Sequence, residues 1–170
     1  MSSAELSKPG LEAVFEAHYE RVARVVAKVI RDPARAEELA VDVFLKWSST
    51  HPKPLDEFTE AWLCRCAARL GLDELRRRTV RNRFESLISW VASSPTPEDL
   101  LDSNQEQDRI RQVLCSLEPR SAEILLLRGE GWSYAQLAGA IGVNASSAGT
   151  LLARAQKAFR KEYVKRYGDR

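Results

Sequence analysis

The chain has 170 residues, 44% of them hydrophobic and 29% charged, and its 26 basic and 24 acidic side chains give a formal net charge of +2. This composition is typical of a globular protein and excludes wholesale disorder or a fibrous repeat. The apolar runs are far shorter than a membrane-spanning helix requires, and we see no signal peptide, so we expect no membrane insertion. Three cysteines do not make a disulfide framework, and we expect a cytoplasmic protein.

The charges are unevenly distributed along the chain. Residues 1–90 carry 15 basic and 14 acidic side chains. Residues 91–108 carry no basic and 5 acidic side chains, whereas residues 109–170 carry 11 basic and 5 acidic side chains. The basic residues bunch again at 69–83 and at 154–170, on either side of the acidic stretch. This distribution predicts two surfaces that meet the same polyanion, with solvated helix faces as the alternative.

Helical spacing of apolar residues extends through the first half of the chain. Asp32 and Pro33 have the pattern of an N-cap followed by proline in the first turn, and the prolines at 52 and 54 interrupt the helical pattern. The predicted helices cover residues 11–30, 33–47, 56–79 and 84–91.

The segment Ser93–Asp99 contains two prolines and small polar residues, which favour an extended linker. Beyond it, apolar stripes predict helices near 100–117, 120–128, 134–141 and 145–167, and no segment has the alternation of a strand. We therefore predict an all-α protein of two small helical domains, at 8–92 and 105–168, joined by a flexible linker at 93–104.

The strongest local pattern lies between Ser133 and Asn144. A short capped helix, a turn at Gly142 and a second capped helix are the features of a helix-turn-helix. In that motif the second helix lies in the major groove of DNA and contacts the bases. A plain helical hairpin is the alternative, but the basic residues downstream favour DNA. The candidate DNA contacts of this unit are Ser133, Asn144, Ser146, Ser147, Thr150, Arg154 and Lys157.

A second cluster combines arginines with aromatic residues in the third predicted helix. Arg65, Arg69 and Arg76 share one helix face, and such a row can follow a line of phosphates. Trp47, Phe58 and Trp62 could stack on unpaired bases, although a place in the core is the simpler interpretation for each tryptophan. The candidate nucleic-acid contacts here are Trp62, Arg65, Arg69, Arg76, Arg77 and Arg78.

These segments resemble a known family. Phe15–Tyr19, Asp32–Trp47 and Ala61–Arg78 resemble region 2 of bacterial RNA polymerase sigma factors of the extracytoplasmic-function type, and Leu117–Arg128 with Ser133–Arg160 resembles region 4. The resemblance implies a sigma factor that binds core polymerase and directs promoter recognition and initiation. It implies no enzyme activity of its own, since polymerase supplies the catalysis.

The resemblance also implies roles by position. Region 2 would engage and melt the −10 element with the arginine cluster, helped by a loop at 48–57 that captures a flipped base. Residues 145–157 would read the −35 element, and the acidic linker would thread the polymerase. The implied partners are core polymerase (clamp helices and flap), promoter DNA and an anti-sigma factor. The implied polymerase contacts are Glu38, Asp42, Val43, Phe44, Lys46 and Trp47.

Several positions depart from the family pattern. Family members often have Asn at the position of Arg69 and a β-branched or aromatic residue at Cys64 or Cys66. The family usually has basic residues where this chain has Gly149 and Leu151, so the reading helix has fewer phosphate anchors. We expect no catalytic residues, metal or other cofactor, and incidental thiols at Cys64, Cys66 and Cys115. A stand-alone helix-turn-helix regulator, and a sigma-like interaction protein without initiation activity, remain the alternatives.

Overall fold

The computed structural model describes residues 9–50, 58–89 and 105–169, and the regular structure within these ranges is entirely helical. None of the helices in these ranges combines the length and apolar character needed to cross a bilayer. Because the described regular structure is entirely helical, the all-α prediction is confirmed. The helices are α1 (Pro9–Val29), α2 (Pro33–Thr50), α3 (Thr59–Ser89), α4 (Gln105–Ser116), α5 (Pro119–Gly129), α6 (Tyr134–Ile141) and α7 (Ala145–Tyr167).

The first three helices pack around a core built from the predicted apolar stripes. Val22, Val25 and Val26 on α1 are fully buried, as are Leu63 and Ala67 on α3, because each helix turns one apolar face inward. The hydrophobic contacts extend from this core to rings at one end of α1. There, the rings of Phe15 and Tyr19 on α1 stack with their centroids 4.7 Å apart. The ring of Phe15 also lies 4.9 Å, between centroids, from that of Phe44 on α2.

The end of α3 differs from the prediction. Two helices, at 56–79 and 84–91, were expected here, but a single helix continues to Ser89. Neither glycine nor proline occurs between Arg76 and Ser89, so nothing in this stretch forces the backbone out of the helix. Residues 90–91 lie outside the described part of the chain. The long helix carries its arginines beyond the core of the first unit.

The turns of the second unit agree closely with the local signals in the sequence. Ser133 caps α6 with a complete capping box, since its side chain accepts from Gln136 and the Gln136 side chain accepts from Ser133. Gly142 follows α6 in the left-handed conformation, with φ of 74°, and Asn144 caps α7. The helix-turn-helix is thereby held by hydrogen bonds at both ends of its turn.

The two predicted units pack against each other through α3, which contacts α4, α5 and α6 as well as α1 and α2. Their buried residues form one continuous apolar cluster. Ion pairs cross the boundary, with Arg31 and Asp108 at 2.7 Å and Lys28 and Glu130 at 2.6 Å. The proposed linker at 93–104 lies outside the described residues. We call this packed state the closed arrangement.

Candidate nucleic-acid interface

The N-terminal half of α7 presents a polar, exposed face. Ala148, Leu152 and Ala155 are buried against α5 and α6, so the opposite side of the helix faces solvent. Five of the predicted contacts lie toward that side, and all of them except the half-buried Ser147 are exposed. They are Ser146, Ser147, Thr150, Arg154 and Lys157.

The other two predicted contacts in this unit have capping roles. Ser133 Oγ accepts from the Gln136 N–H at 3.2 Å, and Asn144 Oδ1 accepts from the Ser147 N–H at 2.7 Å. Both side chains are exposed, but their hydrogen-bonding oxygens already satisfy the first turn of a helix. They fix the angle at which α7 projects and place its free backbone N–H groups at its tip.

Gly149 and Leu151, the departures that lie on α7, have different structural surroundings. Leu151 is half-buried and packs against the apolar core, so a charged residue there would lose that packing. Gly149 has open space where a Cβ would lie and no positive φ, so nothing in the fold requires glycine at this position. The backbone and its surroundings would therefore accept a side chain at position 149.

On α3, Arg65 and Arg69 are held by the second unit. Both pair with Glu123 of α5, with Nε-to-carboxylate distances of 3.3 and 3.0 Å, and Arg65 Nη1 also donates to the Ala140 carbonyl at 3.1 Å. The Glu123 side chain is only 5% exposed, and its hydrogen bond raises the pKa of Arg69 above its ordinary value. In the closed arrangement a carboxylate thus occupies the positions where phosphates were predicted.

The three consecutive arginines have different partners. Arg78 pairs with Glu74 at 3.2 Å and Arg76 with Asp73 at 3.3 Å, and Arg76 Nε also donates to the Cys115 carbonyl. Arg77 is exposed, and its hydrogen bond to the Asp73 carbonyl is long, at 3.5 Å. Of the three, Arg77 is the one most available to an incoming anion.

Glu74 is the anchor beneath this cluster. It is buried, and it accepts hydrogen bonds from Arg35 at 3.1 Å and from Arg78 at 3.2 Å. These bonds, that of Arg35 most of all, lower the pKa of Glu74 to about 2, and the bonds that Arg35 donates to Glu74 and Glu38 raise the pKa of Arg35. The carboxylate stays charged at neutral pH and ties α2 to α3.

Trp62 borders a small cleft between α3 and α6. The cleft, of about 360 Å³, is lined by Lys46, Phe58, Trp62 and Arg65, among others. Phe58 is 58% exposed and Trp62 is half-buried, so two aromatic faces lie beside basic groups. The base-capturing loop expected at 48–57 adjoins Phe58, and its residues 51–57 lie outside the described part.

Three of the predicted polymerase contacts are core residues. Val43, Phe44 and Trp47 are 0, 2 and 4% exposed, so they pack inside the first unit and cannot offer their side chains to a partner in this arrangement. Their helical spacing on one apolar face is the reason. The burial of Trp47 agrees with the simpler interpretation of the sequence, which placed this residue in the core.

The outer face of α2 holds the other three predicted contacts, Glu38, Asp42 and Lys46, which are all exposed. Beside them lie Val41, 41% exposed, and Leu45, 57% exposed, which the sequence interpretation missed. Two apolar residues four apart on an otherwise charged helix face were the signal that could have identified them.

The thiols lie away from these polar surfaces or are protected by burial. Burial raises the pKa of Cys64 to about 12, and it also raises the pKa values of Cys66 and Cys115. A thiol with a raised pKa is a poor nucleophile and a poor metal ligand at neutral pH. Among residues 9–50, 58–89 and 105–169, no group of His, Cys, Asp and Glu side chains has the arrangement of a metal site.

Comparison with known families gives two matches, in the order of the two units. A model of sigma-70 region 2 matches residues 14–81, and a model of sigma-70 region 4 matches residues 107–159. Together they span α1 to most of α3 and then α4 to most of α7. Both candidate DNA surfaces lie within the matched residues.

The individual proteins that resemble this chain share only a modest fraction of its sequence. The ECF RNA polymerase sigma factor SigK of Mycobacterium sp. (strain KMS) is 28% identical over 147 residues, which are 83% of this chain and 76% of the relative. The ferric citrate uptake sigma factor FecI of Escherichia coli (strain K12) is 22% identical over 89% of this chain and 91% of its own. The solved sigma factor RpoE of Bartonella quintana, in complex with the anti-sigma factor NepR, matches with a TM-score of 0.48 and 19% identity, over 89% of this chain and 94% of that chain.

Proposed function

Because the chain belongs to the sigma-70 family of RNA polymerase sigma factors, in its extracytoplasmic-function branch, we propose that its two promoter contacts lie on α7 and α3. The chain is a sigma factor that binds core polymerase and acts in promoter recognition, as a DNA-binding regulatory subunit. The observation that carries the assignment of residues is the exposed polar face of α7, the second helix of a capped helix-turn-helix.

The α7 face would read the −35 element. Ser147 and Thr150 are short polar groups on that face and suit base edges, while Arg154 and Lys157, farther along the helix, suit phosphates. In this division, Ser147 and Thr150 determine which base sequence is preferred, whereas Arg154 and Lys157 contribute mainly to the affinity for DNA. Ser133 and Asn144 would contribute by fixing the orientation of the helix rather than by reading bases.

The α3 face would engage the −10 element after the closed arrangement opens. Phe58 and Trp62 could hold an unstacked base in the cleft that also borders Arg65. Arg65 and Arg69 would follow the strand once Glu123 withdraws. Unstacking a base requires a few kcal/mol, which contacts of this kind can offset.

The outer face of α2 would dock on polymerase. Val41 and Leu45 supply exposed apolar area, and Glu38, Asp42 and Lys46 supply charge around it, which is the usual composition of a protein interface with a polar rim. We also propose an anti-sigma factor as a further partner.

The test is run-off transcription with core polymerase and this chain, on templates selected for binding to the holoenzyme. Substituting Ser147 and Thr150 by Ala should change the preferred −35 bases and leave polymerase binding intact. Substituting Val41 and Leu45 by Asp should weaken polymerase binding instead. Loss of polymerase binding in the α7 variant would refute the division of roles.

A further inference from the structure

A cationic groove runs between the C-terminal part of α3 and the helices α4 and α7. It measures about 880 Å³, and its basic lining residues are Arg76 and Arg83 of α3 and Arg166 of α7. No Asp or Glu among the described residues lines it, although Arg166 Nε donates to Glu162, one turn earlier on α7, at 3.0 Å. This size lies within the range of known ligand sites. The polar remainder of the lining comes from Thr79, Asn82, Gln112 and Ser116.

Two arginines of the groove have hydrogen-bond donors that no acceptor among the described residues uses. Within the described residues, Arg76 Nη2 is buried and has no hydrogen-bond partner, although Nε and Nη1 of the same side chain are bonded. Arg83 is exposed and has no carboxylate partner among those residues. Burial raises the pKa of Cys115 in the lining, so its thiol adds no negative charge at neutral pH. The groove therefore favours an anion.

An exposed aromatic residue lies at the rim of this groove. Phe84 is 66% exposed and follows Val80, which lines the groove and is 67% exposed, by one helical turn. Arg77 and Arg81 lie on the other side of Phe84 on the same helix, and both are exposed. One carboxylate, Glu85, is exposed at the edge of this surface. An apolar ring between two sets of guanidinium groups matches a chain that alternates phosphates with flat bases.

We propose that this surface, made of Arg76, Arg83 and Arg166 in the groove with Phe84 at its rim, binds single-stranded DNA on the free chain. The phosphates lie along the arginines, and a base stacks on Phe84. The site is separate from Arg65 and Arg69, which Glu123 holds in the closed arrangement. It therefore requires neither polymerase nor opening of the chain.

The test is fluorescence anisotropy of a labelled single-stranded oligonucleotide with the full-length free chain, at several salt concentrations. Phe84→Ala should weaken binding about five- to tenfold, because a stacked base contributes at least that much. Phe84→Trp should retain binding, and Phe84→Leu should not. The double change Arg83→Ala with Arg166→Ala should lower the slope of log K against log salt by about 0.7 for each lost contact.

Matched controls distinguish this site from general charge. Arg120→Ala removes one exposed arginine away from the groove and should leave the slope unchanged. Phe84→Ala should not weaken binding of duplex DNA, whose bases are already stacked. Equal binding of single strands by the wild type and by Phe84→Ala, or no binding at low salt, would overturn the proposal. Neither result would touch promoter-dependent transcription, which the run-off assay measures separately.

Discussion

Arg69 on α3 donates from Nε to Glu123 on α5 at 3.0 Å, and this pair joins the predicted −10 surface to the unit that carries the helix-turn-helix. Arg65 takes the other carboxylate oxygen at 3.3 Å. Because the Glu123 side chain is only 5% exposed, the two guanidinium groups supply the contacts that water would otherwise make to its carboxylate. One carboxylate thus contributes to the contact between the two units, and it covers two guanidinium groups that are proposed to meet phosphates.

Glu123→Gln should loosen the closed arrangement. The substitution keeps the size of the side chain and removes the charge that binds Arg65 and Arg69. We expect the free chain to bind a forked promoter fragment roughly five times more tightly, since about 1 kcal/mol of ion pairing no longer competes. Anisotropy measures the affinity, and small-angle scattering should show a larger radius of gyration.

Glu37→Gln is the matched control for this prediction, because Glu37 is exposed on α2 and the same charge is lost without any interdomain contact. The control should bind and scatter like the wild type. An unchanged affinity in Glu123→Gln, together with an unchanged radius, would mean that the apolar cluster alone holds the units together.

The helix-turn-helix could be predicted from the sequence because its determinants are local. Ser133, Gly142 and Asn144 specify caps and a turn within a dozen residues of one another. The pair between Arg69 and Glu123 could not be predicted, because it joins residues 54 apart and depends on how two finished units dock. Periodicity reports which face of a helix is apolar, but it does not report which partner covers a charged face. The same limit explains why the availability of Arg77 and Phe84 emerged only from the structure.

Glu74 should make stability depend on acid pH. Its folded-state pKa of about 2 lies below the ordinary value, so its stabilising contribution is complete above about pH 4.5 and is lost as the pH falls toward 2. We expect Glu74→Gln to lower the free energy of unfolding at pH 7, on the order of 1 to 3 kcal/mol. Urea denaturation from pH 7 to pH 2.5 should show that the difference between the two proteins shrinks with acid. A constant difference would contradict the ion-pair account.

Arg77 and Arg78 are neighbours in sequence but should respond differently to substitution. Arg78→Ala removes a partner of the buried Glu74 and should lower the melting temperature. Arg77→Ala removes an exposed side chain with one long backbone contact, so the melting temperature should stay the same. In the holoenzyme, Arg77→Ala should reduce the salt slope of promoter binding by about one phosphate contact. Thermal melts by circular dichroism and filter binding at several salt concentrations check both results.

Gly149 allows a gain of function on α7. The site has open space for a Cβ and ordinary helical backbone, so Gly149→Ala should stabilise the helix by about 1 kcal/mol. Gly149→Lys should keep most of that gain and add a cation near the reading face, where the family usually has one. We expect tighter binding to duplex −35 DNA, with a salt slope steeper by about 0.9 for one added phosphate contact. The Ala variant is the matched control, because it shares the helix stabilisation without the charge. If both variants bind DNA equally, the added cation makes no phosphate contact, and this part of α7 does not face the backbone of the duplex.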